Sequence, residues 1–137
     1  MSISIPTIKW VAGSVKIIDQ TKLPSKLEYI ICRDVKTLWK AIRQLSVRGA
    51  PALGVSAAFG VLLGMKSFKG SDTKRFIKHI YKICDYIATS RPTAVNLFNV
   101  LDCMRAVASR LETSSVAEIK KQLKEEAFRI YEEDRKV

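Results

Sequence analysis

Metal-binding and disulfide chemistry have little to draw on in this chain. It holds one histidine, His79, and three cysteines, Cys32, Cys84 and Cys103, odd in number, far apart and without a CxxC pair. Structural metal sites and disulfide frameworks need closer and more regular spacing, so neither a metal nor another cofactor is expected. Long apolar runs are missing too. The uncharged stretch Ala50–Met65 contains three glycines and a proline, and it falls short of the roughly 20 residues of a membrane span. The opening MSISIPTIKW lacks the charged segment and apolar block of a secretory leader. A cytoplasmic protein with reduced thiols and no membrane association is the expectation.

Acidic residues are scarce, with 13 Asp plus Glu against 24 Lys plus Arg and a formal net charge of +11. Over the first 66 residues the acids are Asp19, Glu28 and Asp34, whereas Glu112–Lys136 is close to balance. Such an excess attracts nucleic acid, acidic membranes or phosphorylated small molecules without choosing among them. Internal repeats, low-complexity tracts and flexible linkers are absent from the sequence. At 137 residues and 47% hydrophobic, the chain is one domain's worth and can bury a sizeable core.

Residues 1–33 read as strands. TIKWV, SVKIIDQ and LEYIICR are rich in β-branched and aromatic side chains, and Gly13-Ser14 and TKLPSK supply the turns. From Asp34 the hydrophobic period becomes helical through residue 137. Asp34 is an N-cap candidate, and Val35, Leu38, Trp39, Ile42 and Leu45 share one face. A second helix starts near Pro51 and is apolar almost all round, which places it at the centre, with Gly54, Ala57 and Ala58 allowing another backbone close. Asp72 opens a third helix with Ile77, Ile80, Cys84 and Ile87 inward. A fourth follows TSRPT, where Thr93 could cap, and carries Leu97, Val100, Leu101, Met104, Val107 and Leu111 inward. Ser115 and Glu118 match a capping box for a fifth, with Ile119, Leu123, Ala127, Ile130 and Tyr131 inward. The expected fold class is α+β: a small three-stranded antiparallel sheet followed by a bundle of about five helices.

Two segments stand out as sites. In SVRGAPALG, Arg48 precedes Gly49, Ala50 and a helix N-terminus. Free amides, the helix dipole and a bidentate guanidinium there suit a phosphate. In TSRPTAVNL, Arg91 likewise stands just before a helix start. Either arginine taken singly is as well explained by a turn. Cys32, Cys84 and Cys103 read as core thiols, Asp85 and Asp102 as surface or paired residues, and His79 as part of a solvated face beside Lys78 and Lys82.

Taken together, VRGAPALG and SRPTAVNL resemble the methylthioribose-1-phosphate isomerase family, which is related to the regulatory subunits of translation initiation factor 2B and to ribose-1,5-bisphosphate isomerases. IIDQTKLP and EEAFRIYEED extend the resemblance over essentially the whole chain, and the proline of RGAP favours the methylthioribose branch. The resemblance implies phosphate-binding roles for Arg48, Gly49, Ala50 and Arg91. It also implies that residues 1–137 form one N-terminal domain, and that a Rossmann-like second domain, not present in this sequence, carries the catalytic cysteine and aspartate. No catalytic residue is then expected here, and these residues alone should not turn over substrate. The implied activity of the parent is conversion of 5-methylthioribose 1-phosphate to 5-methylthioribulose 1-phosphate in methionine salvage, with a phosphorylated sugar as ligand and a homodimer as the assembly.

A non-catalytic regulatory subunit of the initiation factor 2B type is the alternative. A nucleic-acid-binding helical module comes third. Lys74, Arg75, Lys78 and Lys82 cluster within about two helical turns, but no recognised nucleic-acid motif accompanies them, so a solvated face is the plainer reading and nucleic acid is not an expected partner.

Overall fold

The structure, a computed structural model, describes residues 8–22, 24–44 and 50–135. Strands β1 (Ile8–Val11), β2 (Ser14–Ile18) and β3 (Tyr29–Cys32) form an antiparallel meander in the order β1-β2-β3. Val11 pairs with Ser14 around a two-residue turn in which Ala12 and Gly13 have φ of 51° and 80°. Positive φ at both central positions is the hairpin geometry that matches strand twist. Alternation sends Ile8, Val15, Ile17 and Cys32 into the core.

Five helices follow: α1 (Val35–Arg43), α2 (Ala50–Met65), α3 (Thr73–Ala88), α4 (Val95–Arg110) and α5 (Val116–Arg135). Three of the starts are capped as their sequences predict. Thr37 N–H donates to Asp34 Oδ1 at 2.7 Å, Arg75 N–H to Asp72 Oδ1 at 3.2 Å, and Glu118 N–H to Ser115 Oγ at 3.1 Å. At α5 only half of the box forms, because Glu118 turns its carboxylate to Gln122 Nε2 instead, 3.2 Å away. Helix α4 departs from expectation. Its N-cap is Ala94, in extended conformation and without a side-chain cap bond. Thr93 is one position too early, since Ala94 N–H already closes a turn onto Arg91 O at 3.0 Å.

Helix α2 is the axis of the molecule, in contact with α1, α3, α4, α5 and β1. Phe59, fully buried in it, packs against Trp10 of β1 and against Phe128 and Tyr131 of α5, with ring centroids 5.4–5.8 Å apart. Burying a side chain of this size stabilises by about 1.5–3 kcal/mol, and here one ring joins sheet to bundle. Glycines set how near the helices come. A Cβ at Gly60 would stand 2.8 Å from both Ile87 and Leu38, and one at Gly64 would stand 2.4 Å from Ile83.

Those contacts also fix direction. Ile87 meets Gly60 while Ile83 meets Gly64, so α3 runs antiparallel to α2. Cys84 Sγ lies 4.0 Å from Leu101 O, and the Tyr81 hydroxyl bonds Ser109 further along, so α4 reverses again. Helices α2 and α4 therefore begin at the end of the bundle where α3 and α5 finish. Among the described residues no helix is long and apolar enough to cross a membrane.

Candidate functional site

At that shared end the starts of α2 and α4 lie side by side. Gly54, one turn into α2, makes this possible, because a Cβ there would stand 3.0 Å from Val100 Cγ2 and 3.6 Å from Asn96 O. Two neighbouring helix N-termini, each with amides that lack intrahelical partners and with the positive end of its dipole, concentrate positive potential in one place. The absence of a side-chain cap at Ala94 leaves the first amides of α4 for another acceptor.

Arg91 sits in the corner between α3 and α4 at the same end. It is half-buried, and its Nη1 is buried with no hydrogen-bond partner among the described residues. A buried charged donor left unsatisfied costs about 1–3 kcal/mol or more, which an incidental surface arginine would avoid by rotating into water. Of the other residues assigned to phosphate, Ala50 opens α2, whereas Arg48 and Gly49 lie outside the described residues.

The corner holding Arg91 is rigid. Ser90, fully buried, donates from Oγ to Ile87 O at 2.5 Å, and Thr89 donates to Tyr86 O at 2.6 Å. Trp39 of α1 donates from Nε1 to Tyr86 O at 3.1 Å and to Thr89 Oγ1 at 2.9 Å while its ring stacks on Tyr86. Beside the paired N-termini opens a cleft of about 320 Å³ lined by Gly54, Asn96, Asn99, Val100, Ile130 and Glu133 among others, within the size range of small-ligand sites. Asn96, Asn99 and Glu133 were not singled out by the sequence. Asn96 and Asn99 at i, i+3 on α4 are the one signal that could have found them, and Glu133 comes from a helix remote in sequence. Glu133 already accepts from Arg129 Nη1 at 2.7 Å.

The two buried thiols offer no acid–base group. Burial, with Asp34 adding to it, pushes Cys32 up to about 11. Burial likewise pushes Cys84 up to about 12, with Arg105 opposing and Asp85 and Asp102 reinforcing. Both therefore stay protonated at neutral pH. Cys103 corrects the sequence reading: it is exposed, because two positions after the fully buried Leu101 it falls on the opposite face of α4. His79 is a second correction, half-buried rather than solvated. Its Nε2 donates to Gly64 O at 3.0 Å, beyond the reach of a periodicity argument confined to α3. Asp85 and Asp102 are exposed and paired, accepting from Arg105 at 2.8 and 3.0 Å. Among the described residues no group of three or more His, Cys, Asp or Glu could hold a metal ion.

The chain is also similar to known proteins. Residues 46–137 match the initiation factor 2 subunit family. The chain is 44% identical over 130 residues to 5-deoxyribose 1-phosphate isomerase of Bacillus cereus, covering 95% of this chain and 38% of that protein. It is 41% identical over 136 residues to methylthioribose-1-phosphate isomerase of the same organism, covering 98% and 38%. Among solved structures it superposes on 5-methylthioribose 1-phosphate isomerase of Pyrococcus horikoshii with a TM-score of 0.88 at 31% identity, covering 93% of this chain and 36% of that one. It superposes on translation initiation factor eIF-2B subunit delta of A. fulgidus with a TM-score of 0.86 at 42% identity, covering 95% and 37%. The chain spans less than two-fifths of the length of these relatives. It belongs to the initiation factor 2 subunit family.

Proposed function

We propose, from that membership and from the buried Nη1 of Arg91, which has no hydrogen-bond partner among the described residues, that this chain is the phosphate-anchoring N-terminal part of a sugar 1-phosphate isomerase acting on 5-methylthioribose 1-phosphate. The names of the isomerase relatives support the reaction class. The observation that carries the anchoring role is the buried Nη1 of Arg91, without a partner among the described residues, beside two adjoining helix N-termini. In this reading Arg48, Gly49 and Ala50 complete the phosphate cradle with Arg91, and a second, Rossmann-like domain of a dimeric parent supplies the catalytic groups.

The chemistry explains why a phosphate anchor matters. A phosphate on the anomeric carbon blocks spontaneous ring opening. A proton must reach the ring oxygen as its bond to C1 breaks, one hydrogen must pass from C2 to C1, and a proton must leave the C2 hydroxyl as the ketone forms. One proton is taken up and one released, so the sum is an isomerisation. Charge develops at C1, next to the phosphoester oxygen, and fixed donors on the phosphoryl oxygens hold C1 and C2 in register with the acid–base groups. Anchoring the phosphate converts its binding energy into that alignment. The buried thiols of this domain, held protonated, take no part.

In the full-length parent, Arg91→Ala should raise KM for 5-methylthioribose 1-phosphate by about tenfold to a hundredfold, with Arg91→Lys intermediate, and should raise rather than lower the melting temperature because the unsatisfied buried donor is gone. An unaltered KM in Arg91→Ala would remove the site. The 137-residue chain by itself should bind the sugar phosphate weakly and show no turnover. A regulatory, non-catalytic parent is the second reading, favoured by the higher identity to the A. fulgidus initiation factor subunit (42%) than to the Pyrococcus isomerase (31%). An isomerase assay on the parent separates the two.

A further inference from the structure

The cations of α3 are not used by the site at the bundle end. Lys74, Arg75, Lys78 and Lys82 are all exposed. None of them forms an ion pair among the described residues, where the pairs belong to Arg105 and Arg129. The carboxylates near them are few or already engaged. Asp72 caps α3, Asp85 is held by Arg105, and Glu112 alone borders the row, beside Lys74 and Lys78. Four unpaired like charges on neighbouring turns repel one another by a few tenths of a kcal/mol per pair, a cost that an extended anion would reverse.

The row has a shape as well as a charge. Lys78 forms the wall between two clefts, one of about 340 Å³ lined by Phe68, Arg75, Lys78, His79 and Lys82, the other of about 560 Å³ on the side of Lys74 and Ile77. From Lys74 to Lys82 the helix rises about 12 Å, further than one phosphate group reaches, so a single phosphorylated metabolite cannot engage the whole row. Nor does the surface suit a folded protein partner, whose interfaces centre on aromatic anchors. The exposed tyrosines of α3 are already committed, Tyr81 to Ser109 through its hydroxyl and Tyr86 to Trp39 through its ring.

We propose that this face of α3 binds the sugar-phosphate backbone of a single nucleic acid strand, with Lys74, Lys78 and Lys82 meeting successive phosphates and Arg75 flanking them. The row is one helix wide, which suits a lone strand better than the paired backbones of a duplex. With no free aromatic or amide group to read bases, binding is independent of sequence. The site is separate from Arg91 and does not depend on the isomerase reading.

The test is fluorescence anisotropy of labelled oligouridine titrated with the 137-residue chain over a salt series. A triple variant, K74Q/K78Q/K82Q, should bind at least about tenfold more weakly near 0.1 M salt, and its log–log salt slope should be shallower by about 2, since each lost phosphate contact on a single strand removes about 0.7. A second variant, K36Q/K121Q/K124Q, loses the same charge from α1 and α5 and should leave both quantities nearly unchanged. Equal losses in the two variants would show that only overall charge matters and would overturn the proposal. So would binding without salt dependence, or α3-dependent binding that is as tight to polyglutamate or to phosphatidylserine vesicles as to oligouridine. Matching melting temperatures guard against misfolding, and sugar phosphate binding should be the same in both variants and the wild type.

Discussion

Ala12 occupies a backbone conformation that side chains with a Cβ avoid. Its φ of 51° costs about 1–2 kcal/mol relative to the right-handed region, and the following Gly13 makes the pair one substitution away from the favoured Asn-Gly turn. Ala12→Asn should therefore stabilise the fold by about 0.5–1 kcal/mol and raise the melting temperature by about 2–4 °C, readable by calorimetry. The thiols give a second residue-level expectation. Cys103 should react with a disulfide reagent in the native protein, while Cys32 and Cys84 react only on unfolding. In the unfolded chain their thiols ionise near the ordinary 9.0, but the folded protein holds the protons to about 11 and about 12. Above pH 9 the unfolded state thus binds fewer protons, so stability present at neutral pH declines as pH rises toward those folded values. Urea midpoints over roughly pH 8–10 should fall, and fall less in Cys84→Ala relative to its own neutral value.

At the scale of elements, the helix starts show what a sequence discloses and what it withholds. Asp34, Asp72 and Ser115 were readable as caps because each is a short polar side chain three residues before the amide it accepts from. Thr93 was not, because the exact start of α4 depends on how the Arg91–Ala94 turn closes, and that is a matter of backbone geometry rather than residue type. The consequence is functional. Ala94 has the extended conformation of an N-cap but no acceptor to offer. Ala94→Asp should supply one and stabilise α4 by about 0.5–1 kcal/mol. In the full-length parent the same carboxylate would repel the sugar phosphate and raise KM. A stability gain with unaltered KM would mean that the amides of α4 take no part in anchoring.

At the scale of the whole molecule, the architecture was legible to the extent that its periodicities were long. The switch from alternation to helical spacing at Asp34 and the apolar character of Ala50–Met65 foretold a small sheet, a bundle and a central helix. Pairings were less visible. Gly64 could be recognised as small, but not as the seat of Ile83. Of the candidate site, Arg91 could be named because it stands in a short motif, while the cleft of Asn96, Asn99 and Glu133 joins α4 to α5 and exists only once the helices alternate in direction. His79 was misplaced for the same reason, since its partner Gly64 belongs to another helix.

The indole of Trp39, tied to Tyr86 and Thr89 two residues before Arg91, makes the corner self-reporting. A charged ligand held by the guanidinium changes the local field at the ring bonded to that carbonyl and hydroxyl, so its emission should shift on saturation. In a Trp10→Phe background the protein would carry its own optical gauge of occupancy, with no dye attached. Silence of that signal during demonstrable binding would place the ligand somewhere other than this corner.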